Sequence, residues 1–388
     1  MKVSQIHEII NTVTKEVLGQ ENILNEDLTN VVDVGTAVFN SDNVDNYVKS
    51  LVDHIGKVVF VDRPYSGLMQ SVLMDGWEYG AVLEKISMAK LPEASENESW
   101  ELQDGTSYDP NVFYQPKVKA KFFDKKVTFE IPMSFTEKQV KSAFSGPEQL
   151  NGFMSMIYNA IDRSMTVKLD SLIQRTINNF IGTTIAHEYA DHTDSGLKAA
   201  SGVRAVNLLK LYNDKYSTTL TKDEAVTNPA FIRFASYMMG LYETRLESLS
   251  TLFNIGGNDR ITPVDKLHCI LLSDFKTGAD VYLQSDTFHE NYVALPKADV
   301  TPYWQGSGKS FSFDDVSSIN VKTAAGDTVT VSGILGVMFD REALGVTNMN
   351  RRVTNSYNPK AEFFNNFYKM DAGYFNDTDE NFVVFFMA

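Results

Sequence analysis

Apolar positions change period several times along the chain, and each change marks an expected element. In the first twenty residues Ile6, Ile9, Ile10, Val13 and Val17 recur at helical spacing and Gly19 is a stop signal, which predicts a small N-terminal helix. From Asn22 to Asn46 the composition turns Asn- and Asp-rich without a stable period, as in an extended arm held by contacts outside itself. Asp45 to Gly56 reads as a short helix ending at glycine, and Lys57 to Val61 opens strand-like sequence. Strand alternation then prevails from Leu68 to Ile131, interrupted by an acidic, polar stretch between Pro92 and Pro110, which predicts a long two-armed hairpin. In its return arm Val118, Ala120 and Phe122 alternate with Lys117, Lys119 and Lys121, giving one apolar and one charged face.

Between Pro147 and Ile181 only Gly152 interrupts a helical pattern, so Glu148 to Ile181 predicts one helix of ~50 Å at ~1.5 Å per residue. Its first half sets Asn151, Ser155, Asn159, Asp162 and Thr166 opposite Phe153, Ile157, Ala160 and Ile161. In the second half Ser164, Lys168, Ser171, Arg175 and Asn178 share the polar face. Met165, Leu169, Leu172, Ile173, Ile177 and Phe180 form an apolar stripe turned by roughly a third of a circle. A helix bridging two packed bodies needs such a turn, whereas a coiled coil keeps its seam in place.

A polar connection from His187 to Gly202 leads into Val203 to Leu295, where helical patterns alternate with short strands such as Leu267 to Leu272, a mixed α/β region. Thr/Val-rich segments from Ile319 to Phe339, joined by Ala-Gly-Asp and Ser-Gly, suggest a hairpin and then a buried strand. The end, from Glu362 to Met387, reads as two paired strands, and Phe382 to Phe386 lacks alternation, as in a strand covered on both faces. No internal repeat or low-complexity linker is visible.

Charge and composition then narrow the function classes. The 388 residues carry 35 Lys plus Arg against 50 Asp plus Glu, a formal charge of −15 that repels phosphate backbones and argues against a general nucleic-acid binder. With 43% hydrophobic and 22% charged residues the chain fits neither disorder nor a membrane protein. The N-terminus lacks the unbroken apolar core of a signal peptide, and the densest apolar runs, Ile334 to Phe339 and Phe382 to Met387, fall short of the ~20 residues of a membrane span. The expectation is a soluble chain made in a cytoplasm, without a membrane partner. The single cysteine, Cys269, makes no internal disulfide and reads as a buried inert thiol, and His268 beside it as a packed or surface residue.

Two strings invite a catalytic reading. Gly306-Ser307-Gly308-Lys309-Ser310 resembles the end of a phosphate-binding loop, but its first glycine would fall on Tyr303, and Phe311 to Asp315 does not read as a helix start. His187-Glu188-Tyr189-Ala190-Asp191-His192 resembles a zinc-peptidase helix, yet its histidines are five apart and would diverge by roughly 140° on a helix, so a solvated loop is expected. Neither string forms a coherent catalytic set, and no cofactor or metal is expected.

The order of elements is more telling: an arm, a long hairpin with an acidic tip, a spine helix, an α/β insertion, and a return to aromatic strands. It resembles the Hong Kong 97-type major capsid protein of tailed bacteriophages. Three segments look closer to the major head proteins of small short-tailed phages of Gram-positive bacteria: Tyr47 to Val59, Gly152 to Met165 (GFMSMIYNAIDRSM) and Asn358 to Phe386. The insertion from Val203 to Gly345 matches only in placement. The resemblance implies an α+β fold with an N-terminal arm (1–57), an extended hairpin loop (58–131), a peripheral domain with the spine helix (132–202), an axial domain (203–345) and return strands of the peripheral domain (346–388).

It implies further a non-enzymatic subunit that self-assembles as pentamers and hexamers into an icosahedral head around double-stranded DNA held non-specifically, in a virion assembled in the host cytoplasm. A portal protein is an implied partner. No appended immunoglobulin-like domain is seen, and too little sequence precedes the arm for a fused scaffolding domain, so a separate scaffolding protein is implied. The rival readings are a nucleotide- or metal-dependent enzyme built on Gly306–Ser310 or on His187 and His192, and a connector or tail component. The candidate inter-subunit contacts are the lysine row Lys117, Lys119 and Lys121 and the acidic residues Glu93, Glu96, Glu98, Glu101, Asp104 and Asp109 in the distal hairpin. A lysine row that merely solvates an edge strand is the plainer alternative.

Overall fold

Local start and stop signals place most elements in the computed structural model, which describes residues 3–19, 24–39, 46–47, 50–51, 69–74, 83–88, 90–92, 94, 96, 101–109, 111–284, 298–306, 312–324 and 326–388. The chain begins with helices α1 (Val3–Leu18) and α2 (Val31–Phe39), followed by strands β1 (Leu73–Met74), β2 (Leu83–Met88), β3 (Val118–Phe123) and β4 (Lys126–Thr136). Helices α3 (Glu137–Ala143), α4 (Pro147–Glu188) and α5 (Asp194–Ala199) come next, then β5 (Ala205–Asn207), α6 (Leu208–Tyr216), α7 (Lys222–Ala225) and α8 (Pro229–Leu246). The remainder comprises β6 (Leu267–Leu272), α9 (Ser273–Gln284), β7 (Asp299–Thr301), α10 (Phe313–Val316), β8 (Ile319–Lys322), β9 (Thr328–Val331), β10 (Ile334–Asp340), β11 (Leu344–Asn358), β12 (Phe363–Asn376) and β13 (Phe382–Phe386). Side-chain caps fix several starts: Thr136 and Gln139 form a capping box on α3, Asn207 caps α6, and Asn228 caps α8 ahead of Pro229.

Two compact units emerge. The first gathers Met1–Gly80, Lys125–Ile173 and Val346–Gly373. Its sheet has the order β1-β11-β12-β4, with β12 antiparallel to β4 from Phe363 opposite Thr136 to Gly373 opposite Lys126. Strand β4 thus runs through residue 131, where the expected hairpin ends. It lies at the sheet edge, where Pro132 can sit without breaking a ladder that needs its missing N–H.

Helix α1 forms where its periodicity predicts it. The segment after it does not stay extended: Val31, Val34 and Val38 line one face of α2 and are buried, as are Leu24 and Leu28. Nine helical residues flanked by Asn and Asp are too short a stripe to stand out in a composition window, and burial supplies what propensity does not. Within this unit the Asn11 side chain donates to the Leu24 carbonyl (3.2 Å) and accepts from its amide (2.9 Å). Gly35 faces Phe144 so closely that a Cβ would overlap that ring's stem. Tyr47 is buried edge-on to Phe144 at 6.2 Å, its hydroxyl 3.1 Å from that of Thr14, and burial pushes its pKa up to about 12. Of the expected helix from Asp45 to Gly56 only 46–47 and 50–51 are described, and they are helical; Lys57 to Val61 lies outside the described residues.

The second unit gathers Ala81–Asp124, Gln174–Gly345 and Tyr374–Ala388. Its five-stranded sheet, order β5-β13-β10-β6-β7, is mixed: β13 is antiparallel to β10 and parallel to β5. On one face α6, α8 and α9 supply Leu208, Leu209, Phe231, Ile232, Ala235, Met239, Phe275 and Ala279, which pack with Leu271, Met338, Val383 and Phe385. On the other face Phe180 of α4 stacks on Phe382 at 4.0 Å, and Tyr189 meets Phe386 edge-on at 5.9 Å. Strand β13 is therefore covered on both sides, which accounts for its missing alternation. A separate β8–β9 hairpin precedes the wholly buried β10, as expected.

Three expectations need correction here. Strands β12 and β13 do not pair with each other: β12 lies beside β4 and β11, and β13 beside β10 and β5, because the turn between them is buried and carries the chain from one sheet to another. Helix α4 has 42 residues and continues seven beyond Ile181, since burial of Thr184 and Ile185 replaces the fading local signal. Its buried side does drift, from Leu150, Met154, Ile157 and Ile161 to Ile177, Phe180 and Ile181, but Asn178, expected on the polar face, is buried and donates to the Trp304 carbonyl at 2.6 Å.

Candidate functional site

The hairpin of β2 and β3 is built from period-two sequence, and its register is antiparallel with Lys85 opposite Lys121, Ile86 opposite Ala120 and Met88 opposite Val118. One face therefore carries Glu84, Ile86, Met88, Val118, Ala120 and Phe122, and the other Leu83, Lys85, Ser87, Lys119, Lys121 and Phe123. The ordinary arrangement is reversed. Ile86 is 66% exposed, Val118 55% and Phe122 64%, whereas the lysine face turns onto the rest of its own unit. Toward the distal end Leu102, Tyr108, Val112, Phe113 and Tyr114 are also exposed, the last two at 84%. An exposed apolar surface of this kind marks a site that something else covers.

The reversal is made possible by the turn between β12 and β13. Asp377 divides its carboxylate between the strands: Oδ1 lies 2.8 Å from the Lys121 ammonium and Oδ2 3.0 Å from that of Lys85. Asp379 takes Lys121 at 2.8 Å, and Glu380 takes both Lys85 (2.8 Å) and Arg260 (2.9 Å). Arg260 also donates to the carbonyl of Met88, the last residue of β2, at 2.9 Å, and Lys119 donates to Asn258 at 2.9 Å. Glu342 approaches Lys85 at 3.5 Å. At the base the seat is apolar, where Phe123 packs on Phe375 at 5.0 Å. Burial favours the neutral acid at Asp377, but its ion pairs with Lys121 and Lys85 outweigh this and hold its pKa below the ordinary value. At Glu380 burial prevails and the pKa is raised; Lys85 and Lys121 are raised because their carboxylate partners outweigh burial.

The sequence-derived contact candidates divide accordingly. Lys121 is half-buried and paired within its own unit, Lys119 is exposed but donates to Asn258 there, and Lys117 is exposed. Glu96, Glu101, Asp104 and Asp109 are exposed; Glu93 and Glu98 lie outside the described residues. Sequence reasoning missed Arg260 and the acidic string of Asp377, Asp379 and Glu380, which reads locally as an ordinary turn.

The catalytic candidates do not converge. Ser307 to Ser310 lie outside the described residues, and the Tyr303 carbonyl accepts from Thr301 and Gln174. Contrary to expectation a single helical turn, α10, follows, because Ser312 caps it. His187 stands exposed in the last turn of α4 and not in a loop, and His192 follows in the loop beyond. Among the described residues no three His, Cys, Asp or Glu side chains are placed to hold a metal ion. Cys269 is buried, which pushes its thiol pKa up and leaves it inert.

A family profile described as Phi29-like phage major capsid protein matches residues 10–386. No curated protein matches at a significant level. Among solved structures, the capsid of Staphylococcus phage Andhra superposes with a TM-score of 0.50 at 8% identity, covering 84% of this chain and 86% of that one. The mature capsid of bacteriophage PhiM1 gives 0.42 at 8% identity, covering 84% and 88%. At such identities the Andhra likeness speaks for the fold, and the profile speaks for the family.

Proposed function

The chain belongs to the family of Phi29-like phage major capsid proteins, and from that premise we propose how it assembles. It has the α+β capsid fold of the Hong Kong 97 type and builds the head of the virion, a shell of many copies. Assembly proceeds through the hairpin: the face bearing Ile86, Val118 and Phe122 docks on a neighbouring copy, with Lys117, Glu101, Asp104 and Asp109 at the polar rim. The observation that carries this is the reversed hairpin, which turns Lys85 and Lys121 inward and leaves Ile86, Val118 and Phe122 exposed. Burying that face supplies the attraction at ~25 cal/mol per Å², and rim pairs add only ~0.2–1 kcal/mol each, multiplied by repetition around the shell.

In this reading 1–57 serves as the arm, 58–131 as the extended loop, 132–202 and 346–388 as the peripheral domain and 203–345 as the axial domain, forming pentamers and hexamers. The shell needs no catalytic step of its own. Its partners are a separate scaffolding protein, a portal protein and packaged double-stranded DNA, which the charge of −15 leaves free to slide. No helix among the described residues is long and apolar enough to cross a membrane. The test is assembly of the double variant Ile86→Glu, Phe122→Glu, followed by light scattering and negative-stain microscopy. Folded subunits that form no closed shells at wild-type concentration are expected; normal shells would remove the hairpin face from assembly.

A further inference from the structure

The hairpin and the turn that receives it are built in different ways. The turn is bonded to itself and to the rest of its unit: the Asp377 amide donates to the Ala343 carbonyl (2.6 Å), the Asp379 amide to Asp377 Oδ1 (3.1 Å) and the Glu380 amide to the Asp377 carbonyl (3.2 Å), while the Asn381 side chain donates to the Thr262 hydroxyl (3.0 Å). Gly256 closes over it so tightly that a Cβ would overlap the Asp379 carboxylate. The hairpin, by contrast, brings mainly charged stems to this turn and keeps its apolar face outside.

We propose that the Asp377–Glu380 turn is a clasp that seats the hairpin reversibly, a single carboxylate gripping both strands, so that seated and unseated hairpins interconvert while the core of the unit stays folded. Three cations, Lys85, Lys121 and Arg260, meet four carboxylates, Glu342, Asp377, Asp379 and Glu380. Buried ion pairs recover in attraction little more than they lose in desolvation, so a seat made of them is shallow compared with one made of packed hydrocarbon. Removing one partner tips that balance, because the remaining charge is left buried without a counterion. An unseated two-stranded hairpin is at best marginally stable in water and loses its amide protection. The clasp does not depend on the shell reading: it is a property of the unassembled chain.

Hydrogen exchange on the unassembled full-length chain tests it, comparing wild type with Asp377→Asn and with the double variant Lys85→Met, Lys121→Met. Exchange at least tenfold faster in β2 and β3, with β6, β10 and β13 unchanged, is the expected result in both. Unaltered exchange in the hairpin of either variant would overturn the clasp. Equal acceleration in β6, β10 and β13 would overturn it too, by making the cluster part of the unit's folding core. If Asp377→Asn fails to fold, the lysine double variant, which leaves the turn intact, decides alone.

Discussion

The N-terminal arm and the hairpin are both segments that the resemblance marks as reaching toward neighbours, and they are held by opposite means. The arm hides its apolar stripe: Val31, Val34 and Val38 are fully buried in its own unit, with Gly35 fitted against Phe144. The hairpin shows its stripe and hides its charges, Lys85 and Lys121 on Asp377. An element seated by hydrocarbon burial is part of the fold, and its loss is a loss of stability. One seated by ion pairs at nearly balanced cost can leave its seat, and its exposed apolar face is available to another chain.

The sharpest way to break the comparison is to place a charge in the arm. Val34→Asp places a carboxylate at a fully buried apolar position and is expected to destabilise the full-length chain by roughly 4 kcal/mol or more, read by urea unfolding. A change below about 1 kcal/mol would mean that α2 is not seated as described.

Acid should separate the two regions next. Asp377 has a depressed pKa, so its contribution is present above the ordinary value of 3.8 and is lost as pH falls through the lower, folded value. Glu380, raised above 4.5, takes its proton earlier and sheds an unfavourable buried charge in doing so. The charged groups facing them are Lys85, Lys121, Arg260, Glu342, Asp379 and Asp340. Hairpin protection, corrected for intrinsic exchange, should therefore hold or rise slightly through the Glu380 titration and collapse only below 3.8. The protection of α1 and α2, which are seated by buried apolar residues, should outlast that of the hairpin across the same range. Parallel losses in both regions would erase the distinction.

The smallest effect is expected at Tyr47→Phe, which keeps the ring against Phe144 and removes only the hydroxyl paired with Thr14. A cost of about 1 kcal/mol, seen as a lower Tm, is expected. No measurable cost would assign the holding of this segment to its apolar contacts alone.

Much of this was legible in the residues themselves. The period of Ile6 to Val17 and of Glu148 to Ile181 determined α1 and most of α4, and the unalternating Phe382 to Phe386 determined a doubly covered strand. The alternation of Lys117 to Phe122 determined that one hairpin face is charged and the other apolar, because side chains on a strand point alternately to opposite sides whatever surrounds them. It did not determine which face looks inward, since that depends on what lies opposite, and Asp377, Asp379 and Glu380 follow Lys121 by more than 250 residues. The same limit hid α2, whose short stripe becomes helical only against a partner such as Phe144, and the parting of β12 from β13, whose partners are chosen across the chain. Periodicity is a property of neighbours in sequence and survives in any context. Facing, pairing and the seating of a charge are settled by neighbours in space, and these exist only once the chain has folded.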